Sequence, residues 1–362
     1  MTQTEQHSEM VDRFAGRVFD SVLGAMETWS IYVGDKLGLY EVVAKNDSIS
    51  ESELAARANM HRRYAREWLE HQVTSGILEV DDPAADPADR KYSIPAPHAE
   101  VLTMKDSLAY LAPFVRLVVA GGTQLPGLLD AYRSGGGVSW KEFGPDMRTG
   151  QAEMNRPWFM NELGSSWFPS VSPIHERLVK GGKVADVGCG EGWSSIAMAL
   201  AYPNITVDGY DIDKPSIEAA RQHAAAEGVA DRVSFQSVDA VTVDRESGYD
   251  LVTAFECIHD MPDPVSVLRT MRSISADNGY VVVMDEAVGD AFGDRTDQVE
   301  RLMYGFSMFV CLPDGMSHQP SVGTGTVMRP SVLEGYARDA GFNRIDVLPI
   351  ENDLWRFYEL KK

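Results

Sequence analysis

The stretch that most constrains the fold is "VADVGCGEGWSS", residues 184–195. There an apolar run breaks into three alternating glycines, Gly188, Gly190 and Gly192, and then resumes as a helix-forming segment. Glycine permits backbone turns closed to other residues and lets a ligand come close, and a following helix N-terminus offers free N–H groups. From residue 180 onward the pattern repeats. "ITVDGYDID", "VSFQSVDA", "YDLVTAFE" and "GYVVVMDE" read as buried strands, "SIEAARQHAAAEG" and "PVSVLRTMRSISA" as helices, and "FNRIDVLPI" with "DLWRFYEL" as a closing pair of strands. Nearly continuous apolar strands alternating with helices imply a parallel sheet covered on both faces. The expected class is α/β, with a doubly wound, Rossmann-like, mostly parallel seven-stranded sheet over residues 176–362.

The first hundred residues follow a different pattern. Ser50 or Ser52 can cap a short helix, and "RRYAREWLEHQVTSGIL" puts Tyr64, Trp68, Leu69, Val73 and Ile77 on one face before Gly76 stops it. "DDPAADPADRK" is a turn, and "KYSI" can return as a strand, so residues 1–100 are expected to form a helical, winged-helix domain. Residues 101–175 read as a helical linker and pocket roof. Their aromatic stripe (Tyr110, Phe114, Trp140, Phe143, Trp158, Phe159, Trp167, with Met160) suits a core or dimer contact, and Gly135, Gly136 and Gly137 suit a moving lid.

Charge limits the partners. A formal net charge of −21 repels phosphate backbones, and Arg62, Arg63 and Arg66 at the second helix are offset by Glu51, Glu53, Glu67 and Glu70. No nucleic-acid partner is expected, although a winged-helix regulator that senses a metabolite is the alternative from another class. The scarcity of cysteine (Cys189, Cys257, Cys311), the lack of CxxC spacing and the lack of a long apolar span point to a cytoplasmic protein with no membrane partner. A homodimer is expected.

The turn fails as a dinucleotide site, because Trp193 stands where G-x-G-x-x-G needs its third glycine. What stands is D-x-G-x-G-x-G from Asp186, with Asp211 closing the second strand 25 positions later. This resembles the signature of class I S-adenosylmethionine (SAM) methyltransferases. A ribose diol suits Asp211 as acceptor, beside Ile212, and a cationic methionine end suits an acidic surround such as Asp186. The resemblance further implies Asp239, with Ala240 beside it, at the adenine amino group, and Phe255 and Glu256 near the methionine end. It makes SAM the cofactor and S-adenosylhomocysteine (SAH) the product.

Ligands of open parallel sheets lie beyond the carboxyl ends of the strands. The loop there, "FECIHDMPDP", carries His259 and Asp260. A winged-helix start followed by such a sheet resembles the small-molecule O-methyltransferases, in which an "HDW" stretch at this place supplies the catalytic base; here Met261 replaces the Trp. Imidazole titrates near neutrality, and Asp285 or, preferentially, Glu286 can orient it. The wider resemblance includes iron-dependent 2-oxo acid C-methyltransferases, for which His259, Asp260 and His318 would make a facial triad. A third possibility is that Asp260 merely caps the next helix. The long segment 287–329, which resembles actinobacterial methyltransferases, offers "DQVERLMYGFSMFVCL" as a helix, with Leu302, Met303, Phe306 and Phe309 available to a pocket. Tyr304, Met308 and His318 are its candidate contacts to a small, largely apolar substrate.

Overall fold

The computed structural model describes residues 2–243, 248–293 and 297–362, so three positions of the long 287–329 segment lie outside it. The chain divides into two compact units, Met1–Val119 and Ala120–Lys362.

In the first unit, helix Gln3–Lys36 opens with a capping box, the Glu5 carboxylate accepting from the Thr2 N–H at 2.6 Å. Its residues Met10, Phe14, Phe19 and Trp29 are exposed. Ser50, with Glu53 at the third helical position, starts helix Glu51–Arg57, and His61 caps helix Arg62–Thr74. The wing is the antiparallel pair β1 (Glu79–Val80) and β2 (Tyr92–Ser93), with Ile49 bridging to Tyr92. Trp68 and Leu69 are buried as expected, but Tyr64 is 73% exposed. The buried stripe runs through Ala65, Trp68, Leu69 and Gln72, which turns Tyr64 out past its edge.

The second unit is built on one sheet: β3 (Gly182–Val187), β4 (Ile205–Asp211), β5 (Val233–Ser237), β6 (Tyr249–Phe255), β7 (Ser275–Glu286), β8 (Arg344–Val347) and β9 (Trp355–Lys361), in the order β5-β4-β3-β6-β7-β9-β8. The first five strands are parallel, and β9 enters antiparallel to both β7 and β8. Strand order reverses at β3, so the crevice beyond its carboxyl end lies between the β3 turn and the loop after β6. Val184, Leu251, Val282 and Met284 face one apolar layer, and Ala185, Val252, Val281 and Val283 face the other. The aromatic stripe proves to be core here. Phe159 and Trp167 pack into the first layer, with Trp158 against it.

Of the glycines at 135–137, Gly135 stands in open space and Gly137 is fixed by packing. A Cβ on Gly137 would meet the Pro313 carbonyl at 2.0 Å, and the Val138 N–H donates to that same oxygen at 3.0 Å. Close backbone contact with helix Leu312–Ser317 is what requires glycine there.

Candidate active site

The glycine turn is held from below. Asp186 is buried, and its Oδ2 accepts from Ser194 Oγ (2.5 Å) and Ser195 Oγ (2.7 Å) while Oδ1 accepts from Thr253 Oγ1 (2.8 Å). Burial pushes its carboxyl up and the three hydroxyls pull it back. With both oxygens engaged, Asp186 anchors helix Trp193–Ala201 and β6 to the turn, and any effect on a cationic ligand is felt at a distance.

All three glycines have positive φ, at 71°, 51° and 84°, yet their surroundings differ. A Cβ on Gly188 would stand 2.6 Å from Cys257 Sγ, and one on Gly192 would stand 2.6 Å from the Phe235 ring. A Cβ on Gly190 would meet nothing within 4 Å. Two glycines therefore serve packing, and the third leaves a cradle open to a ligand.

Asp211 faces that cradle, its Oδ2 accepting from the Gly190 N–H and its Oδ1 from the Asp213 N–H, both at 2.8 Å. Each oxygen keeps a second lone pair, so this pair of acceptors fits the two hydroxyl donors of a ribose diol. Ile212 beside it is 64% exposed, an apolar surface suited to one face of a base. Asp239 lies two residues past β5, exposed, with its Oδ1 accepting from the Val241 N–H at 3.1 Å, and Ala240 beside it is buried. Trp193 stacks on His223 at 4.5 Å between ring centroids, and Arg156 lies 4.8 Å above the indole.

Beyond β6 the backbone turns at Glu256, at φ +50°. Its Oε1 accepts from Trp355 Nε1 at 2.6 Å, and its Oε2 accepts from Asn155 Nδ2. Burial, and then Glu286, push this carboxyl up to about 8. Phe255 is buried in the first apolar layer.

His259 follows on a single turn, Ile258–Asp260, and is 2% exposed. Its Nδ1 lies 2.9 Å from Asp285 Oδ1 and 3.2 Å from Glu286 Oε2, and its Nε2 lies 3.0 Å from Asp260 Oδ1. Asp285 holds the aligned hydrogen bond, so the preference for Glu286 as orienting residue is corrected in its favour. β7 presents two acidic residues in succession at its end, and the strand's pleat aims the first at Nδ1. Burial alone would lower the imidazole pKa, but Asp260, Asp285 and Glu286 outweigh it and hold it well above the ordinary value. Glu286 is itself pushed up to about 8 by burial, against the pull of His259.

Asp260 is not the helix cap. Helix Pro264–Ile274 is capped by Asp263, whose Oδ1 accepts from the Ser266 N–H at 3.0 Å. Cap geometry reaches only the residue flanking the helix, and that frees Asp260 to face the imidazole. The facial triad is not assembled either. Among the described residues the ligand-type atoms within 4.8 Å of one another are those of His259, Asp260 and Cys311, and those of His259, Asp285 and Glu286. His318 belongs to neither group and is exposed just beyond helix Leu312–Ser317.

The 298–317 segment is helical as expected, interrupted by a π turn at Ser307–Cys311. Met303 is buried, but Met308 and Phe309 are exposed. The Tyr304 hydroxyl accepts from Arg329 at 3.2 Å, and the Met308 carbonyl accepts from the Tyr132 hydroxyl, also at 3.2 Å. What this segment brings to the histidine is Cys311, a residue that sequence reasoning passed over. Asn155 and Trp355 were missed as well, for they stand in a helix and in the inner strand β9 with no spacing that marks them.

On the winged helix the three arginines are committed. Arg62 and Arg66 pair with Glu51, a fully buried carboxylate, and Arg63 pairs with Glu67. No helix among the described residues is long and apolar enough to cross a membrane.

Comparison with known proteins agrees with this fold. Residues 178–311 match the model of a methyltransferase domain, and residues 25–104 match an Rv2258c-like winged HTH domain. A ubiquinone biosynthesis O-methyltransferase of Ralstonia nicotianae is 28% identical over 205 residues, 56% of this chain and 78% of that protein. Curated relatives of that name are matched over 49% to 79% of their length. Among solved structures, the mitomycin 7-O-methyltransferase MmcR superposes with a TM-score of 0.74 at 19% identity, covering 98% of this chain and 99% of that one. NcsB1, an O-methyltransferase from neocarzinostatin biosynthesis solved with SAH and 1,4-dihydroxy-2-naphthoic acid, gives 0.63 at 17% identity, covering 92% and 95%. The chain carries a methyltransferase domain that follows a winged helix-turn-helix domain in the sequence.

Proposed function

We propose that this enzyme methylates a hydroxyl oxygen of a small, largely apolar molecule, with His259 as the proton acceptor. The observation that carries the reading is the buried imidazole at the carboxyl end of β6, fixed through Nδ1 on Asp285 and set beside the glycine cradle. Asp211 with Ile212 would hold the ribose of SAM, Asp239 and Ala240 its adenine, and Phe255 and Glu256 would border the methionine end. Bound there, SAM supplies an electrophilic methyl group. With SAM held there, the acceptor's O–H proton would pass to His259 while its oxygen takes the methyl group and the sulfonium S–CH3 bond breaks, its electron pair staying on sulfur to leave SAH. General-base help of this kind is worth roughly 10² to 10⁴ in rate, and alignment of the reacting atoms supplies more.

The exposed apolar residues of helix Gln3–Lys36 favour a homodimer, since a row of that length is a protein-contact surface. The committed arginines of the winged helix argue against a DNA-reading role. Measuring SAH release over a panel of phenols, with wild type and His259→Ala, tests the base assignment. Equal turnover by the two proteins would overturn it.

A further inference from the structure

Two residues of helix Pro145–Trp158 reach strand ends on opposite sides of the glycine turn. Arg148 Nε donates to Asp213 Oδ2 at 2.8 Å, just past β4, with the two side chains 11% and 12% exposed. Asn155, about two turns further along the helix, is buried and donates from Nδ2 to Glu256, just past β6. β4 and β6 are the two neighbours of β3 in the sheet. The helix rises about 10 Å between these residues, and two strand spacings also come to about 10 Å. A helix fastened at both points therefore crosses the carboxyl end of β3, where the glycine cradle lies. A third contact agrees, since Arg156 lies over the ring of Trp193, the first residue of the helix that follows the turn. The crossing still leaves room, because a Cβ on Gly190 would meet nothing within 4 Å.

Both ends of this helix are built to give. It starts at Gly144, at φ +79°, where a Cβ would also meet nothing within 4 Å. It ends at Pro157, which has no N–H for the helix ladder, and runs on into a π turn over Phe159–Trp167. The partner of Arg148 stays in place without it. Asp213 Oδ2 also accepts from the Ser216 N–H at 3.0 Å and from Ser216 Oγ at 2.7 Å, so the carboxylate keeps its role as cap when the guanidinium leaves.

We propose that helix Pro145–Trp158 is a strap across the donor crevice and that the Arg148–Asp213 pair is its latch, whose opening sets how fast SAM enters and SAH leaves. This rests on the donor site proposed above. Arg148 is a positioning residue, acting through the strap and not on the reacting atoms.

The test is stopped-flow binding of SAH to the full chain as wild type, Arg148→Met and Arg148→Lys. The methionine keeps the apolar stem and drops the charge. Arg148→Met is expected to raise the association and dissociation rate constants together, each by about tenfold, with Kd held within about threefold. Arg148→Lys, which keeps the charge, is expected to fall between wild type and Arg148→Met. A rise in dissociation alone would mean that Arg148 only shapes the ribose site, and that outcome overturns the latch, as do unchanged rates. Should Arg148→Met fail to fold, amide hydrogen exchange in wild type decides. The strap's amides are expected to exchange about tenfold more slowly with SAH saturating, and exchange indifferent to SAH overturns the proposal. Wild type that binds no SAH would overturn the donor site and the strap with it, whereas SAH binding at unchanged rates overturns the strap alone.

Discussion

Nδ1 of His259 stands 2.9 Å from Oδ1 of Asp285, with both side chains buried, so this contact orients the imidazole and, with Asp260 and Glu286, favours its charged form. Since the surrounding carboxylates hold the imidazole well above its ordinary pKa, the proton-free form needed for base catalysis gains population as pH rises past neutrality. The kcat/KM of wild type is expected still to be climbing at pH values above the ordinary imidazole range. Asp285→Asn removes one carboxylate, which lowers the imidazole pKa and moves the rising limb to lower pH. It also loosens the ring, cutting the plateau by about 10- to 100-fold. pH–rate profiles of the two proteins check both effects, and a limb centred near 6.5 in wild type would contradict them.

Glu256 offers a stability test. Its carboxyl is raised from the ordinary value to about 8, so its contribution to stability is complete below about 4.5 and is lost as pH rises through 8. Glu256→Gln abolishes that loss and keeps an acceptor for the Trp355 indole N–H. The Tm of the variant relative to wild type is therefore expected to increase between pH 4.5 and pH 8.5, as followed by thermal melts across that range. A constant difference would count against the burial of an ionisable Glu256.

The contrast between Gly188 and Gly190 separates packing from binding. Gly188→Ala drives a methyl into Cys257 Sγ and is expected to yield little folded protein. Gly190→Ala has room and bears only the strain of positive φ, about 1–2 kcal/mol. It should fold yet bind SAH about tenfold more weakly, because the methyl fills the cradle. Calorimetric titration of SAH into the folded variant decides, and unchanged affinity would place the donor elsewhere.

The sheet was legible because short apolar strands, punctuated by glycine and alternating with helices, leave few other folds. The strand-end acids were legible because parallel topology brings all carboxyl ends to one edge. The roles within that edge were not. Whether Asp285 or Glu286 meets the imidazole depends on pleat phase, and whether Asp260 or Asp263 caps the helix depends on a shift of a few residues, so spacing alone decides neither. Asn155 and Cys311 come from helices whose packing against the site has no periodic signal.

On the winged helix, Glu51 is held down to about 2, first by its hydrogen bond from Arg66 and despite burial. The stabilisation it provides is present above about 4.5 and is lost as pH falls through 2. Arg66→Ala, which leaves a buried carboxylate with one partner fewer, should cost about 2 kcal/mol at neutral pH. The loss should fade in acid, which denaturant titrations at pH 7 and pH 3 would show. A loss undiminished in acid would mean that Arg66 acts through packing.

Trp193 occupies the position where a dinucleotide turn would carry glycine, with His223 on one side and a guanidinium above its ring. Its indole is thus a reporter built into the cradle. Its fluorescence is expected to follow anything that shifts Arg156 or the stacked imidazole, so loading of the turn can be followed optically with no label attached.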